Sequence, residues 1–292
     1  MSTVFKLPKF TFQIADSVDM PQLQAQKAEI TKEARRDEQL HHATQLEGQL
    51  KMAGAVQKDF LPRRLPDSDK LAWSAVYLPA DWVSGDIYDV ARLDEKYIGF
   101  YLADAVGHSI PAALLTIFIK QSIQMRETIG SNYKIFSPLE VISNLNSRMY
   151  AQQLSGCQFA TCCYCLLNTE TGQMTYCRAG HPYPLLVGRD GSISQLQSRG
   201  ALLGVFDNAQ FDEETIQLEP GQKVMLYSDG ADPLIEKSCS DEDYAFACNE
   251  DFTAMANKNA TQLAAKFEAM AIAKKDTIEE VDDISMLTLE ML

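Results

Sequence analysis

The stretch Phe159–Val187, FATCCYCLLNTETGQMTYCRAGHPYPLLV, is a series of short apolar runs broken by turn residues. Phe159–Leu167, Met174–Arg178 and Pro184–Val187 are too short for helices and read as strands. Thr169-Glu170-Thr171-Gly172, between the first two, is a hairpin turn signal. Outward from this block, Leu71–Leu78, Tyr97–Ala103 (running into Asp104), Thr215–Leu218, Lys223–Tyr227 and Ile284–Glu290 read as further strands. Helical patterns cover Pro111–Arg126, Pro138–Gln153 and Ala260–Ala273. Strands in blocks with helices in pairs predict antiparallel sheets covered by helices, an α+β layered fold. The acidic, irregular segment Glu236–Asp251 reads as a mobile loop insertion.

Met20–Phe60 is polar, rich in alanine and glutamine, and free of proline apart from Pro21. Leu23, Ile30, Ala34, Leu40, Leu46, Leu50 and Ala53 fall near one helical stripe, with an imperfect heptad pattern. A long helix follows, either solvated against the next domain or dimerising. Leu61-Pro62-Arg63-Arg64-Leu65-Pro66 ends it, because proline removes a donor and disfavours helix at the residue before. The expected organisation is an N-terminal helical extension over 1–65, regulatory or dimerising, and a second domain over 66–292.

Composition narrows the function classes. The 292 residues carry 26 Lys+Arg against 40 Asp+Glu, a net charge of 26 − 40 = −14. With no basic block to offset that balance, nucleic acid is excluded as an expected partner. The seven cysteines (157, 162, 163, 165, 177, 239 and 248) include no CxxC pair. Neighbours on a strand point to opposite faces, so Cys162, Cys163 and Cys165 cannot converge on one metal and read as buried free thiols in a reducing cytoplasm. No run approaches the roughly 18 apolar residues of a membrane span, and the N-terminus lacks a signal-peptide core, so a soluble cytoplasmic protein is expected.

Four segments place an aspartate at the edge of an apolar run beside small residues. They are Val83-Ser84-Gly85-Asp86, Leu102-Ala103-Asp104-Ala105-Val106-Gly107-His108, Tyr227-Ser228-Asp229-Gly230 and Val281-Asp282-Asp283-Ile284. If these ends converge, the anions repel strongly unless cations lie among them. With no matching His or Cys set, the donors are hard oxygens suited to Mg²⁺ or Mn²⁺. Two such ions bridged by a carboxylate lower the pKa of a shared water and clamp a phosphate. Each segment alone is weak, an Asp-Gly being an ordinary turn; the argument rests on the set and its order.

In that order the segments resemble the PPM (type-2C-like) phosphatases, in particular the SpoIIE-type branch that acts on partner-switching regulators of sigma factors. SGDIYDV, LADAVGHSIPAALLT, the 159–187 stretch, LLGVF, VMLYSDG and VDDISMLTLEM carry the resemblance, which spans about Phe60 to Leu292. It implies an αββα four-layer sandwich of two antiparallel sheets flanked by helices. It further implies that Asp104 bridges two Mn²⁺ or Mg²⁺ ions, with a third ion as an option. Asp229 and Asp282 would complete one site, and Asp86 with the Ala105 carbonyl the other. Asp89 and Asp283 would order the loops around them. The implied reaction is in-line attack on phosphorus by a water activated between the metals, without a phosphoenzyme. Ser84, Ser109 and Ala201 stand where the pattern usually has glycine, and none of these changes removes a carboxylate.

Of the histidines, His181 reads as a structural hydrogen-bonder, while His108 reads equally as a helix-capping or a phosphate-proximal group. Neither is assigned to catalysis. Ser109-Ile110-Pro111 opens a helix whose N-terminus could help hold a phosphate. The expected activity is therefore dephosphorylation of a phosphoserine or phosphothreonine on a STAS-type anti-sigma-factor antagonist. A sensor or activator and a homodimer through the N-terminal helix are the accompanying partners. A catalytically silent pseudophosphatase that binds a phosphorylated partner is the alternative. A phosphohydrolase for nucleotides is a third reading, with no GxxxxGK[ST] loop to support it.

Overall fold

The last strand shows why the chain forms layers. In β12 (Ile284–Met291), Leu287, Leu289 and Met291 enter one apolar core, while Ile284 and Met286 enter another. A strand with both faces buried must lie inside a stack, because successive side chains alternate across the sheet. The same division recurs in β11 (Lys223–Tyr227), with Val224 and Leu226 on one side and Met225 and Tyr227 on the other.

The computed structural model describes residues 20–107, 109–154, 158–237, 246–274 and 282–292. The chain divides into two units, one ending at Gln49 and the other running from Leu50 to Leu292. In the first, the described residues belong to helix α1 (Met20–Asp59), and Leu40 and Leu46 of the predicted stripe are exposed.

The second unit holds two antiparallel five-stranded sheets. One has the order β1 (Leu71–Leu78), β12, β11, β8 (Leu185–Val187) and β9 (Ile193–Gln195). The other runs β10 (Glu213–Gln217), β7 (Gln173–Ala179), β6 (Ala160–Asn168), β3 (Tyr97–Ala105) and β2 (Asp86–Arg92). Trp73 of β1 meets Phe100 of β3 edge to face, with centroids 5.0 Å apart, so the sheets pack through that pair. Helices α2 (Ile110–Ser122) and α3 (Pro138–Ala151) cover the second sheet, while α6 (Ala260–Lys274) covers the first and α5 (Glu250–Ala256) packs on α6 in the same outer core. The result is the expected four-layer αββα sandwich.

Local chemistry accounts for the helix starts. Ser137 caps α3 in a reciprocal box: its Oγ accepts the Glu140 N–H at 3.3 Å, and Glu140 accepts the Ser137 N–H at 2.9 Å. Pro138 sits in the first turn, where its missing N–H costs nothing.

Several bounds shift by one or two residues, β9 was not anticipated, and three further differences bear on the site or its surroundings. The helix predicted to reach Arg126 stops at Ser122, because β4 (Arg126–Ile129) pairs with β5 (Asn132–Ile135) in a hairpin. Gly130, at φ +63°, supplies the turn. The hairpin is short and largely exposed, so no apolar alternation announced it. Second, Asp86 opens a full strand, β2, which the sequence reading does not include among its strands. Third, the predicted loop insertion Glu236–Asp251 is flanked by structure: the short α4 (Asp232–Ile235) precedes it and Asn249 caps α5, which begins at Glu250. Residues 238–245 of that segment lie outside the described residues.

Of the seven cysteines, Cys162, Cys163, Cys165 and Cys177 are buried free thiols and Cys248 is free and half-buried, whereas Cys157 and Cys239 lie outside the described residues. No described helix is long and apolar enough to cross a membrane.

The outer core depends on the Phe252–Phe267 edge-to-face pair, whose centroids lie 6.3 Å apart. Phe267→Ala is expected to lower unfolding free energy by about 3–5 kcal/mol in a urea titration. Ile129→Ala, in the exposed hairpin, should stay within about 0.5 kcal/mol of the parent.

Candidate metal centre at the end of the sandwich

The β2–β3 register places Asp86 directly opposite Asp104. Opposed residues in an antiparallel pair hold their Cβ atoms about 4.5–5.5 Å apart on the same face. Phe100 faces the other sheet, and Asp104, two pleats further along, shares its face. Both carboxylates therefore point between the sheets at one end of the sandwich.

The first sheet brings its own pair to that end. Asp229 opens a 3₁₀ turn directly after β11, and Asp282 and Asp283 immediately precede β12. The Ser228 N–H donates to Ser285 O at 3.0 Å, fixing the two segments side by side. Gly230 packs so closely on this junction that a Cβ there would overlap the Asp283 carbonyl and lie 3.2 Å from the Asp282 Cβ. Glycine is required here by approach distance.

Asp283 joins the two sheets. It is 3% exposed, and its two oxygens accept the N–H groups of Ala80 and Gly85 at 2.7 and 2.6 Å. Ser228 adds a second tie: its hydroxyl donates to Asp86 Oδ2 at 2.7 Å and accepts the Ser285 N–H at 2.9 Å. Gly85 O accepts the Ala105 N–H at 2.8 Å, and a Cβ on Gly85 would sit 2.6 Å from the Ala105 carbonyl oxygen. The residues singled out in the sequence, Asp86, Asp104, Ala105, Asp229 and Asp282, thus come from both sheets to one end.

The electrostatics are those of crowded anions. Burial first, then the charges of Asp229, Asp282 and Asp283, push Asp104 up to about 8. Burial, followed by Asp104 and Asp283, raises Asp86 well above the ordinary carboxylate range. Asp229 is raised by burial and then by Asp282. Asp86 Oδ1 is buried with no hydrogen bond of normal geometry, although the Ser285 hydroxyl lies near enough to the carboxylate to act on its charge. A buried carboxylate oxygen left unpaired is costly, and a cation is the partner that would satisfy it. The all-oxygen donor set fits a hard divalent ion. Among the described residues, no three His, Cys, Asp or Glu side chains are already gathered into a coordination shell.

Other candidates fall elsewhere. Asp89 pairs with Lys120 of α2 at 2.6 Å, tying β2 to its covering helix. His181 is buried, with Nδ1 2.8 Å from Thr161 Oγ1. Burial, with the nearby Arg178 charge second, lowers it to about 3, so the ring stays neutral at physiological pH. His108 lies outside the described residues. Ser109 precedes α2, as the sequence suggested, without a side-chain cap. Sequence reasoning missed Ser228 and Gln57, whose buried hydrogen bonds support the Asp86 loop. A Ser before Asp-Gly and a Gln near a helix end carry no distinguishing signal in one sequence.

The chain matches the family of Stage II sporulation protein E (SpoIIE) over residues 94–292. It is 32% identical over 190 residues to the phosphoserine phosphatase RsbU of Bacillus subtilis, covering 64% of this chain and 54% of that one. It is 24% identical over 185 residues to the phosphoserine phosphatase RsbP of the same organism, covering 62% and 44%. The SiaA-PP2C domain of Pseudomonas aeruginosa shares the fold with a TM-score of 0.67 at 19% identity, over 86% of this chain and 98% of that domain. The chain spans about half the length of these curated relatives or less. With the family match extending over most of the sandwich, the chain belongs to the SpoIIE family.

Proposed function

We propose that this chain is a metal-dependent protein phosphatase that hydrolyses a phosphoserine or phosphothreonine on a signalling protein. The observation that carries the proposal is that Asp86 stands opposite Asp104 with one oxygen unpaired, while Asp229 and Asp282 of the other sheet lie close enough to Asp104 to act on its charge. Two relatives named as phosphoserine phosphatases support the same reaction class. In this reading Asp104, Asp229 and Asp282 would hold one Mn²⁺ or Mg²⁺ ion, and Asp86 with the Ala105 carbonyl would contribute to holding a second. Such ions, when bound, lower the pKa of water and neutralise phosphate charge.

The chain's own residues set the stage for that chemistry. Asp283 and Ser228 fix the Asp86 loop and the Asp229 turn relative to each other. The ladder holds Asp86 against Asp104, so the two sites would share one rigid edge. A rigid sheet limits how far the carboxylates can move apart to relieve their repulsion, which favours cation capture over rearrangement.

On the motif resemblance, the proposed substrate is a STAS-type anti-sigma-factor antagonist in a cytoplasmic setting, with residues 1–65 as a regulatory or dimerising extension to a catalytic domain over 66–292. The primary test is phosphate release from a phosphoserine-bearing STAS protein, with nucleotides and a phosphopeptide as comparisons. Mn²⁺-dependent release abolished by excess chelator is expected. Metal binding with partner capture and no turnover would favour the pseudophosphatase.

Asp104→Asn and Asp229→Asn are each expected to reduce release by about a hundred-fold or more, because each removes an anionic donor. Undiminished hydrolysis in both would overturn the assignment.

The metal-free protein should also show an inverted acid response. Asp104 has an ordinary carboxyl pKa of 3.8 when unfolded and about 8 when folded, so the folded state binds this proton more tightly. Its ionisation costs stability progressively as pH rises from about 4 through 8, and acidification over that window restores it. In chelator, the melting temperature should rise as pH falls from about 8.5 to 6, and Asp104→Asn should flatten that rise. Scanning fluorimetry at fixed ionic strength measures both.

A further inference from the structure

Gln57 lies near the C-terminal end of α1, in the same unit as the sandwich, and is 5% exposed. Its Nε2 donates to Ser84 O at 2.6 Å and to Thr116 Oγ1 at 2.9 Å, while its Oε1 accepts the Ser84 N–H at 2.9 Å. Both amide protons and the carbonyl are therefore engaged. The Thr116 hydroxyl spends its own proton on Ala113 O at 2.7 Å, leaving its lone pair for Gln57. The carboxamide reads both backbone groups of one residue, as a neighbouring strand would.

The helix is seated for that contact. A Cβ on Gly54 would collide with the Trp82 carbonyl oxygen, so α1 lies with bare backbone against the loop. One turn earlier, Lys51 Nζ sits 4.2 Å over the Trp82 ring. Lys51, Gly54 and Gln57 follow at three-residue spacing, which places them along one side of the helix. From the opposite direction Asp283 holds the Gly85 N–H at 2.6 Å. Ser84 is fully buried, and its Oγ accepts the Asp86 N–H at 3.0 Å. The loop entering β2 is thus gripped on one side by α1 and on the other by the residue preceding β12.

We propose that Gln57 is a positioning residue for Asp86: it sets the Ser84–Gly85–Asp86 backbone from α1, and with it the geometry of the second metal position. The grip on the loop stands on hydrogen bonds alone, whereas its consequence for metal rests on the reading under Proposed function. An apolar side chain at 57 strips the buried Ser84 N–H and C=O of their partners, and the loop shifts to recover them. Displacement of a ligand-bearing loop weakens metal binding more than substrate binding. Loss of a group that orients a ligand typically costs 10–100-fold in metal affinity.

The test compares Gln57→Leu and Gln57→Glu with the parent chain, and with Met255→Ala as a destabilised control remote from the loop. Mn²⁺ titration by calorimetry, amide exchange of the 82–86 segment in chelator, and kcat and KM on a phosphoprotein are measured well below each melting temperature. Gln57→Leu should weaken Mn²⁺ binding by about ten-fold or more and lower kcat, with KM within about two-fold. Exchange in 82–86 should accelerate by about ten-fold or more. Gln57→Glu, which keeps the acceptor for the Ser84 N–H but loses the donor to Ser84 O, should fall between, and it carries the test if the leucine variant does not fold. Met255→Ala should lower the melting temperature and leave Mn²⁺ affinity unchanged. Parental Mn²⁺ affinity and parental exchange in Gln57→Leu would overturn the proposal. If the parent itself binds no Mn²⁺, the metal reading fails separately. Exchange in chelator then decides the grip on the loop: faster sustains it, unchanged overturns it.

Discussion

Asp86 and Asp104 stand opposite each other across a β-ladder, both turned into the space between two sheets, and the surrounding structure is organised to tolerate that meeting of like charge. If both were ionised about 5 Å apart at an effective dielectric near 20, they would repel by on the order of 3 kcal/mol. That is a large share of the roughly 5–15 kcal/mol by which a domain is stable. The cost appears in Asp86, which burial first and then the charges of Asp104 and Asp283 raise well above the ordinary carboxylate range. A fold keeps such an arrangement when its rigidity is maintained by something other than the acids, and here the sandwich core does so.

The core holds the two sheets face to face, but it does not align their ends. That alignment comes from a few polar ties made where apolar packing runs out. Asp283 accepts two backbone protons from the segment leading into β2, although it belongs to the opposite sheet. Ser228 spans the same gap with one hydroxyl between Asp86 and Ser285. Gly85 and Gly230 permit these approaches, because a Cβ at either would overlap a neighbouring backbone carbonyl. Charge, hydrogen bonding and the absence of a side chain act on the same few residues, so a change in one is felt by all.

Helix α1 enters this arrangement at its C-terminal end. Its earlier apolar residues Leu40 and Leu46 are exposed, whereas Gln57 is buried against the Ser84 backbone. Amphipathic character therefore says little about where this helix matters. One amide placed against an otherwise unpaired peptide unit does more to couple it to the site than the apolar stripe that marks it in the sequence.

Much was legible in one dimension. The strands Leu71–Leu78 and Lys223–Tyr227 have the predicted bounds, because β-structure buried on both faces writes itself as short apolar runs between turns. The helix end at Ser122 and the Arg126–Ile135 hairpin were not legible, since an exposed two-stranded ribbon buries too little to leave an alternating pattern. The candidate carboxylates could be picked out because an Asp at the edge of an apolar run recurs four times in order, twice with Gly directly beside it. What the sequence by itself determined is the layered α+β class, and it singled out the acids that the fold brings to one end, both from local pattern. Only the tertiary structure decided that Asp86 faces Asp104, that Asp283 bridges two sheets, and that Gln57 reaches Ser84. Register, inter-sheet alignment and the pairing of buried polar atoms are set by long-range packing, which no local spacing encodes.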